Sequence, residues 1–155
     1  TKTTFNNLIE LEYNESFKQL SDEENNQYFT GNLLRLSFHN KDKHILLSLA
    51  KSKNSFFNLF VSVAAALVDA SNNLENTLKN YERLDEYESK IFNQDSITEC
   101  FSYDASNMNV KQYGELTVFK IKNSFYTVYC LSRFEDNKEA KKIFKQFKDS
   151  FKPLS

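Results

Sequence analysis

Between Asn7 and Tyr13 apolar and charged residues alternate one by one, with Ile9, Leu11 and Tyr13 on one side and Glu10 and Glu12 on the other. A period of two predicts a strand with one dry face. A polar stretch from Asn14 to Asn32 follows, with Phe17, Leu20, Tyr28 and Phe29 as tethers to a core. Alternation then returns twice, through Leu34, Leu36 and Phe38 and through Ile45, Leu47 and Leu49, on either side of the short polar run Asn40–Lys43. That pattern predicts a hairpin.

The pattern changes at Phe56. From there to Val68 only Asn58 and Ser62 interrupt an apolar run, and its length and the alanines at 64, 65 and 66 favour a helix over a strand. It is expected to be buried on most of its faces, with Asn54 or Ser55 as its cap. Leu74, Leu78, Tyr81, Leu84, Tyr87 and Ile91 recur at intervals of three and four, which predicts a second, amphipathic helix over residues 74–92.

Three strands in series are expected next, at Ile97–Tyr103, Glu115–Lys122 and Ser124–Ser132, with Asn123 and Ser124 in the tight turn between the last two. Leu116, Val118, Phe119 and Ile121 place apolar groups on both faces of the middle strand, so both faces are expected to be covered. Asp136 and Glu139 have the spacing of a capping box at the head of a closing helix. Ala140, Ile143, Phe144, Phe147 and Phe151 form its apolar stripe, and Pro153 is expected to stop it. The class predicted is α+β: an antiparallel sheet of about six strands, hairpin plus three-stranded meander among them, sandwiched between helices in a single domain over residues 1–155.

Composition refines this picture in three ways. With 15 Phe and 8 Tyr in 155 residues, a substantial core is available. With only 2 Gly and 1 Pro, left-handed turn positions fall to Asn. A net charge of −1 shows no excess of lysine and arginine, so nucleic acid is not an expected partner. No apolar run is long enough to span a bilayer, and membrane contact is expected only through a lipid anchor outside the chain.

Three stretches carry a resemblance: Ile9–Tyr13 followed by Ser16–Lys18, the strand Ser124–Ser132, and the closing Phe147–Lys152 with its Ser-Phe ending. Together they resemble the PsbP-like α/β/α sandwich superfamily, which includes DcrB-like bacterial lipoproteins, a small Ran-binding nuclear protein and Eag-type secretion chaperones. The resemblance covers nearly the whole chain and implies a fold and a habit of binding other macromolecules, with no shared active site. It departs from the family in its scarcity of Gly and Pro, where relatives often carry a Pro-Gly turn near the first strands.

Candidate chemistry is sparse. His39 and His44 flank the hairpin turn and could face each other across it, but a metal site needs three or four ligands and only Asp42 lies near. They are expected to be surface polar residues. Cys100 and Cys130 fall on the outer strands of the meander, about 9–10 Å apart across the middle one, and are expected as buried free thiols. Glu10 with Glu12, and Asp85 with Glu86, are carboxylate pairs; Glu10 and Glu12 share the solvent face of their strand, which solubility alone explains, and the cleft and perturbed environment that acid–base work needs are not visible for either pair. Lys138, Lys141, Lys142, Lys145 and Lys148 lie opposite the apolar stripe of the closing helix and are expected as its solvated face. No phosphate-binding loop, Cys-x-x-Cys or nucleophile elbow occurs.

The expected function is therefore a non-catalytic protein- or peptide-binding or assembly module needing no cofactor, such as the soluble part of a lipoprotein outside the cytoplasm of an AT-rich bacterium. The alternatives are a cytoplasmic chaperone for apolar helices of a secreted effector, and a small enzyme with an unrecognised site.

Overall fold

The computed structural model describes residues 1–29, 33–52, 60–105 and 109–154. The first strands are β1 (Lys2–Phe5), β2 (Ile9–Glu12) and β3 (Lys18–Gln19), followed by helix α1 (Asp22–Tyr28) and the hairpin β4 (Leu34–Asn40) and β5 (Ile45–Lys51). Helix α2 (Val63–Thr77) leads into β6 (Lys79–Ile91), β7 (Gln94–Asp104), β8 (Lys111–Ile121) and β9 (Ser124–Arg133). Helix α3 (Asn137–Asp149) and the short β10 (Lys152–Pro153) close the chain.

Seven strands form one antiparallel sheet in the order β3-β4-β5-β9-β8-β7-β6, and β1, β2 and β10 form a separate small sheet. α3 and the small sheet pack on one face of the large sheet, where Ile9, Leu11, Phe38, Leu47, Phe119, Phe144, Phe147 and Phe151 make the main core. α2 packs on the other face, over Phe101, Leu116, Val118 and Phe125. The central β8 is buried from Tyr113 to Phe119 without a break, so its two apolar faces are both covered as expected. Gly114 belongs to that strand because nothing larger fits: an added Cβ lies 2.3 Å from the Phe101 ring and 2.9 Å from Leu131.

Several expectations need correction. The sheets hold more strands than six, and the first predicted strand belongs to the small sheet. Residues 79–91, the greater part of the amphipathic helix predicted over 74–92, are an edge strand, and only residues 74–77 are helical, as the end of α2. The Thr77 hydroxyl returns to the Asn73 carbonyl at 2.7 Å, Leu78 leaves helical geometry, and Asn80 takes φ 55°. Two register irregularities in β6 then place Tyr81 on the α2 side and Ile91 on the α3 side, so residues spaced for one helical face divide between two faces of a strand. The bare edge of β7 offers a full ladder of backbone hydrogen bonds to this segment, which outweighs its helical spacing.

α2 begins at Ser62, whose hydroxyl accepts from the Ala65 amide at 3.1 Å; the predicted caps Asn54 and Ser55 lie outside the described residues. Only Leu67 and Ser71 of α2 are buried, so the described part of the run predicted over 56–68 is a surface helix and not one enclosed on most sides, while residues 56–59 lie outside the described residues. The capping box forms at Ser21 and Glu24 of α1, inside the stretch read as merely polar, and not at Asp136. Asp136 ends a 3-10 turn over Phe134–Asp136, outside the extended geometry a cap requires. α3 ends before Pro153, which sits in β10 opposite Ile9. The β8–β9 turn is Lys122-Asn123, with the positive φ on Lys122. Asn6, Asn7, Asn80, Asn93 and Asn109 all hold φ between 47° and 58°, the role that the scarcity of glycine assigned to asparagine.

Candidate functional site

The antiparallel register lines up Asp85, Cys100, Glu115, Cys130 and Leu47 in one row across β6, β7, β8, β9 and β5. Glu115 thus stands in the middle of the sheet, 4% exposed, where a bare carboxylate is costly. Its partner is Lys148 of α3, 6% exposed, with Nζ 3.3 Å from Oε1. Lys148 also donates to the Tyr87 hydroxyl at 3.0 Å and to Thr117 Oγ1 at 3.4 Å. Tyr87 donates to Glu115 Oε1 at 3.2 Å, and Tyr113 donates to Oε2 at 2.8 Å. The ammonium's three donors and both carboxylate oxygens are all engaged.

Lys148 therefore does not belong to the solvated face of α3. Burial alone would lower its pKa, but Cys130, Glu115 and Tyr87 outweigh that and hold it above the usual lysine range. Burial pushes Tyr113 and Tyr87 upwards, and does the same to the thiols Cys100 and Cys130. Every resolved shift in this cluster favours the protonated form, the opposite of an activated nucleophile.

Above the cluster a cleft of about 360 Å³ opens between β6 and α3. Tyr87, Ile91, Cys100 and Tyr113 line it, Asp85 stands on the strand wall, and Lys141 and Lys145 stand on the helix wall. Lys145 pairs with Asp149 at 2.5 Å, while the Lys141 ammonium lies 5.2 Å from the Tyr113 ring. A groove of about 430 Å³ lies on the other side of α3, between Tyr13, Phe17, Leu47, Ile143 and Phe147, with no buried ionisable group among the described residues of its lining.

A second buried acid, Glu99, lies under α2. It accepts from Ser71 Oγ at 2.7 Å and from the Tyr81 hydroxyl in a short bond, and meets Arg83 Nε at 3.3 Å. Arg83 is itself half-exposed and bonds Glu75 of α2 at 2.7 Å.

The residues singled out from sequence scatter. His39 pairs with Leu46 in the ladder and makes a tilted ring contact with Tyr28, while His44 lies in the turn with φ 55°, so the two do not face each other as ladder partners. Burial first, then Lys41 and His44, hold the His39 imidazole below its ordinary pKa. Among the described residues no three ligating side chains gather around a common point. Cys100 and Cys130 are both free and buried, one on each side of Glu115. Lys2 spans Glu10 and Glu12 at 3.9 and 3.7 Å. Asp85 and Glu86 are consecutive on the edge strand, Glu86 N bonding Asp85 Oδ1 at 2.8 Å. The missed pair left a trace in the sequence: Glu115 interrupts a strand apolar on both faces, and Lys148 falls four residues after Phe144, inside the apolar stripe.

No family model matches this chain, and no curated protein sequence matches it. Solved structures do. The cyanobacterial PsbP (CyanoP) of Synechocystis superposes with a TM-score of 0.71 over 99% of this chain and 92% of that one, at 11% identity. The Saccharomyces cerevisiae Ran-binding protein Mog1p gives 0.60 over 92% and 88%, at 8% identity. LpqN, involved in cell envelope biogenesis of Mycobacterium tuberculosis, gives 0.59 over 95% and 83%, at 10% identity. The chain has the PsbP-like fold.

Proposed function

We propose that this PsbP-like domain acts by binding a protein partner, with the cleft between β6 and α3 as its contact site, and makes or breaks no bonds. The observation that carries the reading is the state of the polar groups at the cleft floor. Lys148, Glu115, Tyr87 and Tyr113 satisfy one another, and both thiols are held protonated. A catalyst holds its acid or base near its working pH and leaves it a free hydrogen-bonding direction toward substrate. This floor has neither property. It is a stiff base that fixes α3 against the sheet and shapes an apolar slot with charged walls, which suits recognition.

The description of Mog1p as Ran-binding and the role of LpqN in envelope biogenesis support a binding role, and LpqN favours a setting at the cell envelope. The test uses the immobilised domain beside a Lys141→Glu/Lys145→Glu variant of matched thermal stability. A partner retained from cell extract by the first and lost by the second is expected. Capture indifferent to these two lysines contradicts the reading, as does a turnover that disappears in Glu115→Gln.

A further inference from the structure

The two edges of the large sheet are finished differently. At one edge β3 lies along β4, and the Leu20 amide adds a bond to the Ser37 carbonyl at 2.9 Å, so the outer strand is partly capped. At the other edge β6 pairs with β7 alone, and among the described residues no backbone–backbone bond outside the strand ladders reaches residues 79–92. Both bulges of β6 fall before Asp85. From Asp85 to Ile91 the register with β7 runs unbroken, from Cys100 to Gln94, so every second residue there turns its amide and carbonyl away from the sheet. Open edges are commonly guarded by bulges, proline or lysine. This stretch has no bulge and no proline, and its one lysine, Lys90, is paired with Asp95.

The side chains of the stretch select what it accepts. Glu86 stands opposite Glu99, which bonds Ser71 of α2, and Glu88 stands opposite Ile97, so both acids lie on the α2 face. Both are exposed. The nearest cations along the strand, Arg83 and Lys90, are engaged by Glu75, Glu99 and Asp95 instead, which leaves Glu86 and Glu88 without a cation among the described residues. Tyr87 and Ile91 lie on the opposite, α3 face and line the cleft.

We infer that β6 accepts an extended segment of the partner as an additional strand, with basic side chains at alternate positions beside Glu86 and Glu88 and apolar ones between them beside Tyr87, at the mouth of the cleft. This rests on the reading of the cleft as the contact site and names the form in which the partner meets it. Main-chain bonds to the open edge supply affinity, and the alternate side chains supply selectivity. A second copy fits worse. Paired antiparallel about this stretch, it sets the acids at 85, 86 and 88 against their own counterparts.

The probe is a peptide of about ten residues that alternates lysine with valine, a length that spans the open stretch. A second peptide replaces lysine by glutamate, and two more carry N-methyl groups on either the lysine or the valine amides. Affinity is read by calorimetry and the site by hydrogen exchange. The lysine peptide is expected to bind and to slow amide exchange within residues 85–91, and the glutamate peptide is not. Alternate amides of an added strand face the edge, so one N-methyl isomer should bind like the parent and the other at least about tenfold more weakly. Glu86→Lys/Glu88→Lys is expected to weaken the lysine peptide about tenfold, whereas Glu15→Lys/Glu23→Lys, at exposed acids elsewhere, should change it less than about twofold. No binding of the lysine peptide, equal binding of both N-methyl isomers, or protection confined to other strands overturns the inference. So does self-association that the peptide displaces, which makes a second copy the occupant. A chain that captures a partner through Lys141 and Lys145 yet ignores the peptide overturns it too, and leaves the cleft reading standing.

Discussion

Glu115 and Glu99 lie on neighbouring strands, meet helices on opposite faces of one sheet, and are neutralised in different ways. Under α3 the counter-charge is a lysine withdrawn from water as completely as the acid itself. Under α2 it is an arginine from the edge strand, half in solvent and shared with Glu75. Taking two charges out of water costs several kcal/mol for each ion, and only their mutual attraction and full hydrogen bonding offset it. The α3 side has thus committed to a closed pair that fails badly if halved. The α2 side keeps a pair that solvent can screen and repair.

The largest expected effect breaks the closed pair. Lys148→Met strands Glu115 and should destabilise the fold by about 3–5 kcal/mol in denaturant unfolding. High pH attacks the same face. Lys148 has a raised pKa in the folded state, so its contribution is complete below the unfolded value near pH 10.4 and is lost as pH climbs through the folded value. Cys100, Cys130, Tyr87 and Tyr113 are raised as well; the unfolded chain releases their protons first, from about pH 8.5 for the thiols and about 10 for the phenols. Stability should therefore fall steadily above about pH 9, less steeply in Lys148→Met.

Smaller effects sharpen the contrast from the α2 side. Gly114→Ala forces a methyl group into the Phe101 ring and is expected to cost about 1–3 kcal/mol, read as a lowered melting temperature. Arg83→Met should cost less than Lys148→Met, about 1–2 kcal/mol, because the guanidinium itself is half-exposed and Ser71 and Tyr81 still donate to the buried Glu99, and added salt should shrink that difference. Asp136→Ala should change stability by less than about 0.5 kcal/mol, where a working cap would cost about 1 kcal/mol.

These contrasts follow what the sequence made legible. Alternation located β2, the hairpin and the meander because each presents a dry face, and the stripe from Ala140 to Phe151 located α3. β6 escaped because its apolar residues are few and bulges divide them between faces, so a period of 3.6 fitted them as well as a period of 2. The PsbP-like fold was readable from short structural stretches. The Glu115–Lys148 pair was not, since a lysine beside other lysines on a helix looks solvated until a strand 33 residues earlier in the chain presents its acid. The strand wall of the cleft was not visible while residues 79–91 were read as a helix.

The account rests on Glu115 and Lys148 forming a closed structural unit, and a double-mutant cycle between Glu115→Gln and Lys148→Met, followed by urea unfolding, tests it most directly. The prediction is a double variant more stable than the Lys148→Met single variant, with a coupling of about 2–3 kcal/mol. Two small losses that simply add would contradict it and return these side chains to the list of groups free for chemistry.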